Sequence, residues 1–174
     1  MLSFRITFFI FLAGCFTGCM PQARFYIGEL RTPEEVGLII VSGDCYLYGL
    51  KISDIEEKKL WAFGGTLEVL PGNYIANVGY VTSTQSGDIC ALSINIQAGH
   101  IYVIYFGNVN FEYNNGKISK YWNPTYREFA NKEDINAIKP GDHLPLSAID
   151  IQNRVKKYFE SKRRVLKIDH GKWR

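Results

Sequence analysis

Short apolar runs cut by turn residues about every ten positions constrain this chain more than any other feature. Val36-Gly37-Leu38-Ile39-Ile40-Val41 ends at Ser42-Gly43-Asp44, and Cys45 to Ile52 follows. Leu60 to Phe63 and Thr66 to Leu70 lead into the turn Pro71-Gly72-Asn73, which opens Tyr74 to Tyr80. Ile89 to Ile96, the turn Gln97-Ala98-Gly99-His100 and Ile101 to Phe106 repeat the pattern. Val109 to Tyr113 and Lys117 to Trp122 flank Asn114-Asn115-Gly116, and Asn-Gly between two such runs is a strong hairpin signal. Runs this short, rich in β-branched and aromatic residues, suit strands. Nothing helical alternates with them, which excludes a doubly wound fold. The expectation is a mainly β domain over 33–122, an antiparallel β-sandwich of about seven to nine short strands. A hydrophobic share of 47% and sixteen glycines agree with a packed, turn-rich domain rather than disorder.

One segment breaks the pattern. After an irregular, Pro-containing connection over 123–146, with a short helix near Glu133 to Ile138, Ser147 caps an amphipathic helix. Ala148, Ile151, Val155, Tyr158, Phe159 and Leu166 fall on one face at spacings of three and four. Arg154, Lys156, Lys157, Arg163 and Arg164 lie mostly elsewhere around it. From Gln152 to Arg174 there are nine lysines and arginines against Glu160 and Asp169 alone; from Cys15 to Ile151, fifteen acidic residues outnumber ten basic ones. The chain is thus a mildly acidic body with a basic helix and tail at 147–174. Arg163, Arg164 and Lys167 are candidates for binding anionic lipid, lipopolysaccharide phosphates or an acidic envelope protein. The alternative is a helix that packs its apolar stripe and leaves its charges to solvent.

The first residues carry a different signal. Met1 to Arg5 holds one positive charge, Ile6 to Ala13 is an almost unbroken apolar run, and Gly14-Cys15 follows. That is a secretory-signal pattern, and the run is far shorter than the roughly 20 apolar residues of a membrane-spanning helix. Leu12-Ala13-Gly14-Cys15 resembles the lipobox of bacterial lipoproteins. The resemblance implies a signal peptide over 1–14, cleaved before a diacylglycerol-modified Cys15. Phe16-Thr17-Gly18-Cys19 is a second, weaker match, so Cys19 is the alternative. By the same analogy, Phe16 after the cysteine implies sorting to the outer membrane, where the periplasmic face is expected ahead of the cell surface. Residues 15–32 would form the lipidated tether, about fifteen residues that reach roughly 50 Å fully extended. An exported protein of this kind has no use for nucleic acid despite the basic tail.

Cys45 and Cys90 remain after the anchor. In an oxidising compartment they can form a disulfide, and the alternative is two buried thiols. Leu70-Pro71-Gly72-Asn73-Tyr74 and Ala98-Gly99-His100-Ile101-Tyr102 are similar to the turn-plus-aromatic pattern of PEGA-like exported β-sandwich modules. In such modules each Gly turn opens a strand that leads with an aromatic into the core. Those families are mostly non-catalytic, so the resemblance carries over no active-site residues.

Catalytic motifs are missing from the sequence: there is no GxSxG, no HExxH and no phosphate-cradling Gly-rich loop. His100, His143 and His170 are far apart, and neither they nor the cysteines have metal-ligand spacing, so no metal and no cofactor beyond the lipid is expected. Asp54, Glu56 and Glu57, and Glu133 with Asp134, are carboxylate clusters that read first as solvated loop charge. Trp61, Tyr113 and Trp122 are the aromatic binding candidates, with the Tyr113–Trp122 hairpin expected to be the most exposed. The leading expectation is a non-enzymatic envelope lipoprotein acting as an interaction or structural module. The rival is an envelope enzyme acting on glycan or peptidoglycan through a carboxylate pair.

Overall fold

The computed structural model describes residues 23–43, 45–52, 58–80, 89–107, 109–114, 117–138 and 148–171. Of these, the side chains of 58–59, 61–63, 109–114, 117–121, 148 and 165–171 stay outside the description. The protein is mainly β with a long C-terminal helix. Strands are β1 (Ala23–Arg24), β2 (Gly37–Val41), β3 (Cys45–Ile52), β4 (Lys58–Phe63), β5 (Thr66–Val69) and β6 (Gly72–Tyr80). They continue as β7 (Cys90–Ile96), β8 (Ile101–Tyr105), β9 (Val109–Asn114), β10 (Lys117–Trp122) and β11 (Thr125–Phe129). The helices are α1 (Lys132–Asn136) and α2 (Ala148–Gly171), and no described helix is long and apolar enough to cross a membrane.

One sheet has the order β1-β5-β2-β8-β11, a second β4-β3-β6-β7, and β9 and β10 form the expected hairpin. Alternation along the strands divides their side chains between two clusters. Ile39, Val41, Leu67, Val69, Tyr102 and Ile104 of the first sheet share a core with Leu47, Leu50, Tyr74, Val78, Ile94 and Ile96 of the second. The opposite face of the first sheet offers Leu38, Ile40, Ile101, Val103 and Phe129, which pack with Ile135, Ile138, Ile151, Val155 and Tyr158. Strands β2 and β8 therefore bury both faces, which is why Leu38 to Val41 and Ile101 to Ile104 read as unbroken apolar runs. The sheets come close at Gly37, where a Cβ would run into Ile96 Cγ2. Gly99 holds the turn before β8 at φ 78°, a backbone region that glycine enters without steric cost.

Five expectations about the elements change. Pairing is not wholly antiparallel: β2 runs parallel to β8 and β1 parallel to β5. The described strands number eleven, because the sheet extends past 33–122 at both ends. Residues 23–25, expected to lie in a tether, belong to the domain: Ala23 and Arg24 pair with Leu67 and Glu68, and the Phe25 ring meets Tyr74 edge-on at 6.2 Å. The connection over 123–146 is not irregular throughout: Thr125 to Phe129 pairs with β8, and Asn131 caps α1 by accepting from the Asp134 amide at 3.0 Å. Helix α2 also runs on to Gly171, through most of the segment that was expected to divide into helix and tail.

The Cys45–Cys90 disulfide is not formed. Cys45 pairs with Tyr80 and Cys90 with Val78, so strand β6 lies between them. Two strand spacings put their Cα atoms about 10 Å or more apart, whereas a disulfide needs roughly 4.4–6.8 Å. The Cys90 thiol instead donates to the Trp122 carbonyl at 3.1 Å. Alkylation of the denatured, unreduced protein should therefore label the Cys45 and Cys90 peptides fully. A Cys45–Cys90 cross-linked peptide recovered in place of the labelled ones would contradict this arrangement.

Candidate functional site

In Thr66-Leu67-Glu68-Val69 the alternation sends Leu67 and Val69 into the core between the sheets, so Glu68 points to the helix side. Along α2 the buried residues Ile151, Val155 and Tyr158 fix a stripe, and a further step of four reaches Lys162. The two charges meet there. Lys162 Nζ donates to both carboxylate oxygens of Glu68 at 2.7 Å, and the Tyr26 hydroxyl donates to Oε2 at 2.7 Å. The side chains of Lys162 and Glu68 are 2% and 1% exposed, so water does not compete for them.

Taking two ions out of water costs several kcal/mol each, and such a pair persists only when its hydrogen bonds are good. Here the carboxylate receives short, charge-assisted contacts from Lys162 and a third from Tyr26. Tyr158 lies buried beside them, and its hydroxyl has no hydrogen-bond partner among the described residues. Burial first, and the Glu68 charge second, push the Tyr158 pKa up; burial and the hydrogen bond to Glu68 do the same for Tyr26. Both phenols are thus held neutral around one compensated ion pair.

A groove of about 550 Å³ opens beside this cluster. Thr32, Glu34, Glu133, Phe159, Lys162 and Arg163 are among its lining residues. Glu34 belongs to a 3-10 turn at Pro33–Glu35, closed by the Thr32 amide donating to Glu35 Oε2 at 2.7 Å. Lys132 lies 5.6 Å from the Phe159 ring centroid and 3.5 Å from Glu133 Oε1. The groove therefore carries both signs of charge around one aromatic ring.

A second polar group lies where β11 borders β8. His100 Nδ1 is 2.7 Å from Glu128 Oε1, and the Tyr102 hydroxyl donates to the same oxygen at 3.1 Å. That hydroxyl also accepts from the Gln97 amide at 2.8 Å. Burial is the largest cause that raises the Tyr102 pKa to about 12. Among the described residues no group of three or more His, Cys, Asp or Glu is placed to hold a metal ion.

The candidates read from sequence are scattered. Trp122, expected to be exposed, is 6% exposed; it stacks on Phe106 at 5.7 Å and meets Tyr80 at 4.8 Å, because β10 ends against the core rather than in solvent. Trp61 lies on β4, Tyr113 on β9 and Lys167 on α2, and their side chains fall outside the described residues. So do Cys15, Cys19, Asp54, Glu56, Glu57 and His143 entirely, and the His170 side chain. Arg163 and Arg164 are exposed on α2. The Lys162–Glu68 pair went unread, although a lysine at the next step of an apolar stripe is itself a sign of a buried partner. Compared with known families, curated proteins and solved structures, the chain matches none.

Removing one partner leaves the other charge buried alone, so Lys162→Met or Glu68→Gln should cost about 3–5 kcal/mol in urea unfolding. Lys162→Met combined with Glu68→Leu should cost less than the sum of the single changes. Single variants within about 0.5 kcal/mol of wild type would show the pair to be dispensable. The tyrosines give a pH signature. Tyr102 has a folded pKa above its unfolded one, so the stability it lends is complete below about pH 10 and is lost as pH rises through about 12. Tyrosinate absorbance should accordingly lag behind free tyrosine and rise together with unfolding; titration of every phenol near pH 10 in the folded protein would contradict the burial.

Proposed function

We propose that the chain is a membrane-anchored envelope lipoprotein whose domain, two sheets packed as a sandwich with α2 over one outer face, serves as a non-enzymatic interaction or structural module. One observation carries the non-enzymatic part. The ammonium of Lys162 and the carboxylate of Glu68, the most buried charges among the described residues, are engaged with each other at 2.7 Å, and Glu68 also accepts from Tyr26 at 2.7 Å. A catalytic carboxylate has to reach the reacting atoms. The anchor rests on Leu12-Ala13-Gly14-Cys15, and strand pairing from Ala23 onward leaves only about seven residues between lipid and domain. Phe16 after the cysteine favours the outer membrane, with the periplasmic side preferred over the surface.

A second reading draws on Glu34 and Glu133, two carboxylates on the walls of an open groove. On that reading the groove holds a glycan and the pair acts on its glycosidic bond.

Replacing Cys15 by Ala should block acylation and leave unprocessed precursor, whereas normal acylation of that variant would move the anchor to Cys19. In-cell crosslinking of the anchored protein, followed by purification, should recover a defined envelope partner. Release of soluble fragments from purified peptidoglycan, abolished by Glu34→Gln or Glu133→Gln, would replace the module with the enzyme.

A further inference from the structure

The cations of α2 whose side chains are described divide into two sets. Lys162 is spent on Glu68, and Arg154 is bound to Asp150 at 2.9 Å while also donating to the Val41 carbonyl at 3.0 Å. Lys156, Lys157, Arg163 and Arg164 are exposed, and none of them forms an ion pair among the described residues. They stand at i, i+1, i+7 and i+8, two pairs about 10 Å apart along one side of the helix. Glu160 is the acidic residue between them. This side lies away from the stripe Ile151, Val155, Tyr158 and Lys162 that packs on the sheet. Elsewhere, the surface cavity beside β6 and β7 is lined by uncharged residues, Asn73, Ile75, Ser93 and Asn95 among them.

Where the chain joins the sheet decides what this charge can meet. Glu68, the partner of Lys162, is in register with Arg24 of β1, one strand away. Arg163 and Arg164 follow Lys162 directly, so they are held near the strand through which the chain from Cys15 joins the domain. From Cys15 to Ala23 there are eight steps, at most about 29 Å of extended chain. That exceeds the roughly 10–12 Å thickness of a helix, so a bilayer holding the lipid can touch the outer side of α2.

We propose that the outer side of α2 rests on the anionic headgroups of the bilayer in which the lipid on Cys15 is embedded, a proposal that depends on the anchored-lipoprotein reading. Lys156, Lys157, Arg163 and Arg164 supply the contacts. Headgroup attraction orients the domain, and the acyl chains hold it there.

The test uses the acylated full-length chain, in vesicles of phosphatidylcholine with and without phosphatidylglycerol, and a membrane-impermeant amine reagent. Lys156 and Lys157 should react on the order of five-fold more slowly on the phosphatidylglycerol vesicles, with Lys51 of β3 unchanged. The protection should vanish near 1 M salt, where the screening length is about 3 Å, and in Arg163→Glu/Arg164→Glu. Equal reactivity on the two vesicles, or protection that survives the double variant, would overturn the proposal. So would protection in native membranes but not on phosphatidylglycerol, which assigns the side to an acidic protein. Retention on vesicles at high salt and the acyl mass on the Cys15 peptide report the anchor separately. Loss of protection with both intact refutes only the docking side, and absence of the acyl mass refutes the anchor and the docking with it.

Discussion

One buried ion pair ties together three parts of the protein that are distant in sequence. Glu68 sits on β5, Lys162 on α2, and Tyr26 follows β1; their polar atoms converge within 2.7 Å contacts at a point nearly closed to water. Hydrophobic burial alone would hold α2 on the sheet, but it is non-directional and tolerates sliding along an apolar surface. A desolvated charge does not tolerate sliding, because any register that separates Lys162 from Glu68 strands both. The pair therefore specifies where the helix lies, more than it adds to overall stability.

The surrounding packing is arranged to make that point dry. Leu38, paired with Glu68 across β2 and β5, belongs to the cluster that includes Tyr158 and Val155. Tyr158, four positions before Lys162, fills the space beside the carboxylate with a ring whose hydroxyl stays neutral. The other face of the same sheet forms a second apolar core, so the strand bearing Glu68 is covered on both sides. The consequence for function is positional. Strand β1 and the exposed cations Arg163 and Arg164 become neighbours, so on the proposed reading a lipid on Cys15 and this charge would act on the same membrane surface.

Much of this was legible in the residues. Alternation and turn chemistry located the strands from Val36 to Trp122, the Asn-Gly hairpin and the apolar stripe of α2, because each is a local pattern. The parallel pairing of β2 with β8 was not legible, since no local signal says which strand lies beside which. Thr125 to Phe129 escaped because a strand at the sheet edge, preceded by Pro124, carries only Phe129 fully into the core. Trp122 looked like a surface aromatic in a polar hairpin, yet it is the end of that hairpin that turns into the core. Cys45 and Cys90 invited a disulfide because an exported compartment was expected and two cysteines remained, while the strand between them was not visible in the residues. The Glu68–Lys162 pair was half legible: each residue breaks an apolar pattern, and only the fold shows that the two breaks coincide.

Amide hydrogen exchange on the full-length chain tests the role of that pair most directly. In wild type the α2 amides from Tyr158 to Arg164 should be protected to a degree comparable with β5. In Glu68→Gln that stretch should exchange much faster, while β6 and β7 of the other sheet keep their protection. Unchanged exchange of α2 in the variant would show that apolar packing alone fixes the helix, and that the ion pair is not the constraint on which the arrangement depends.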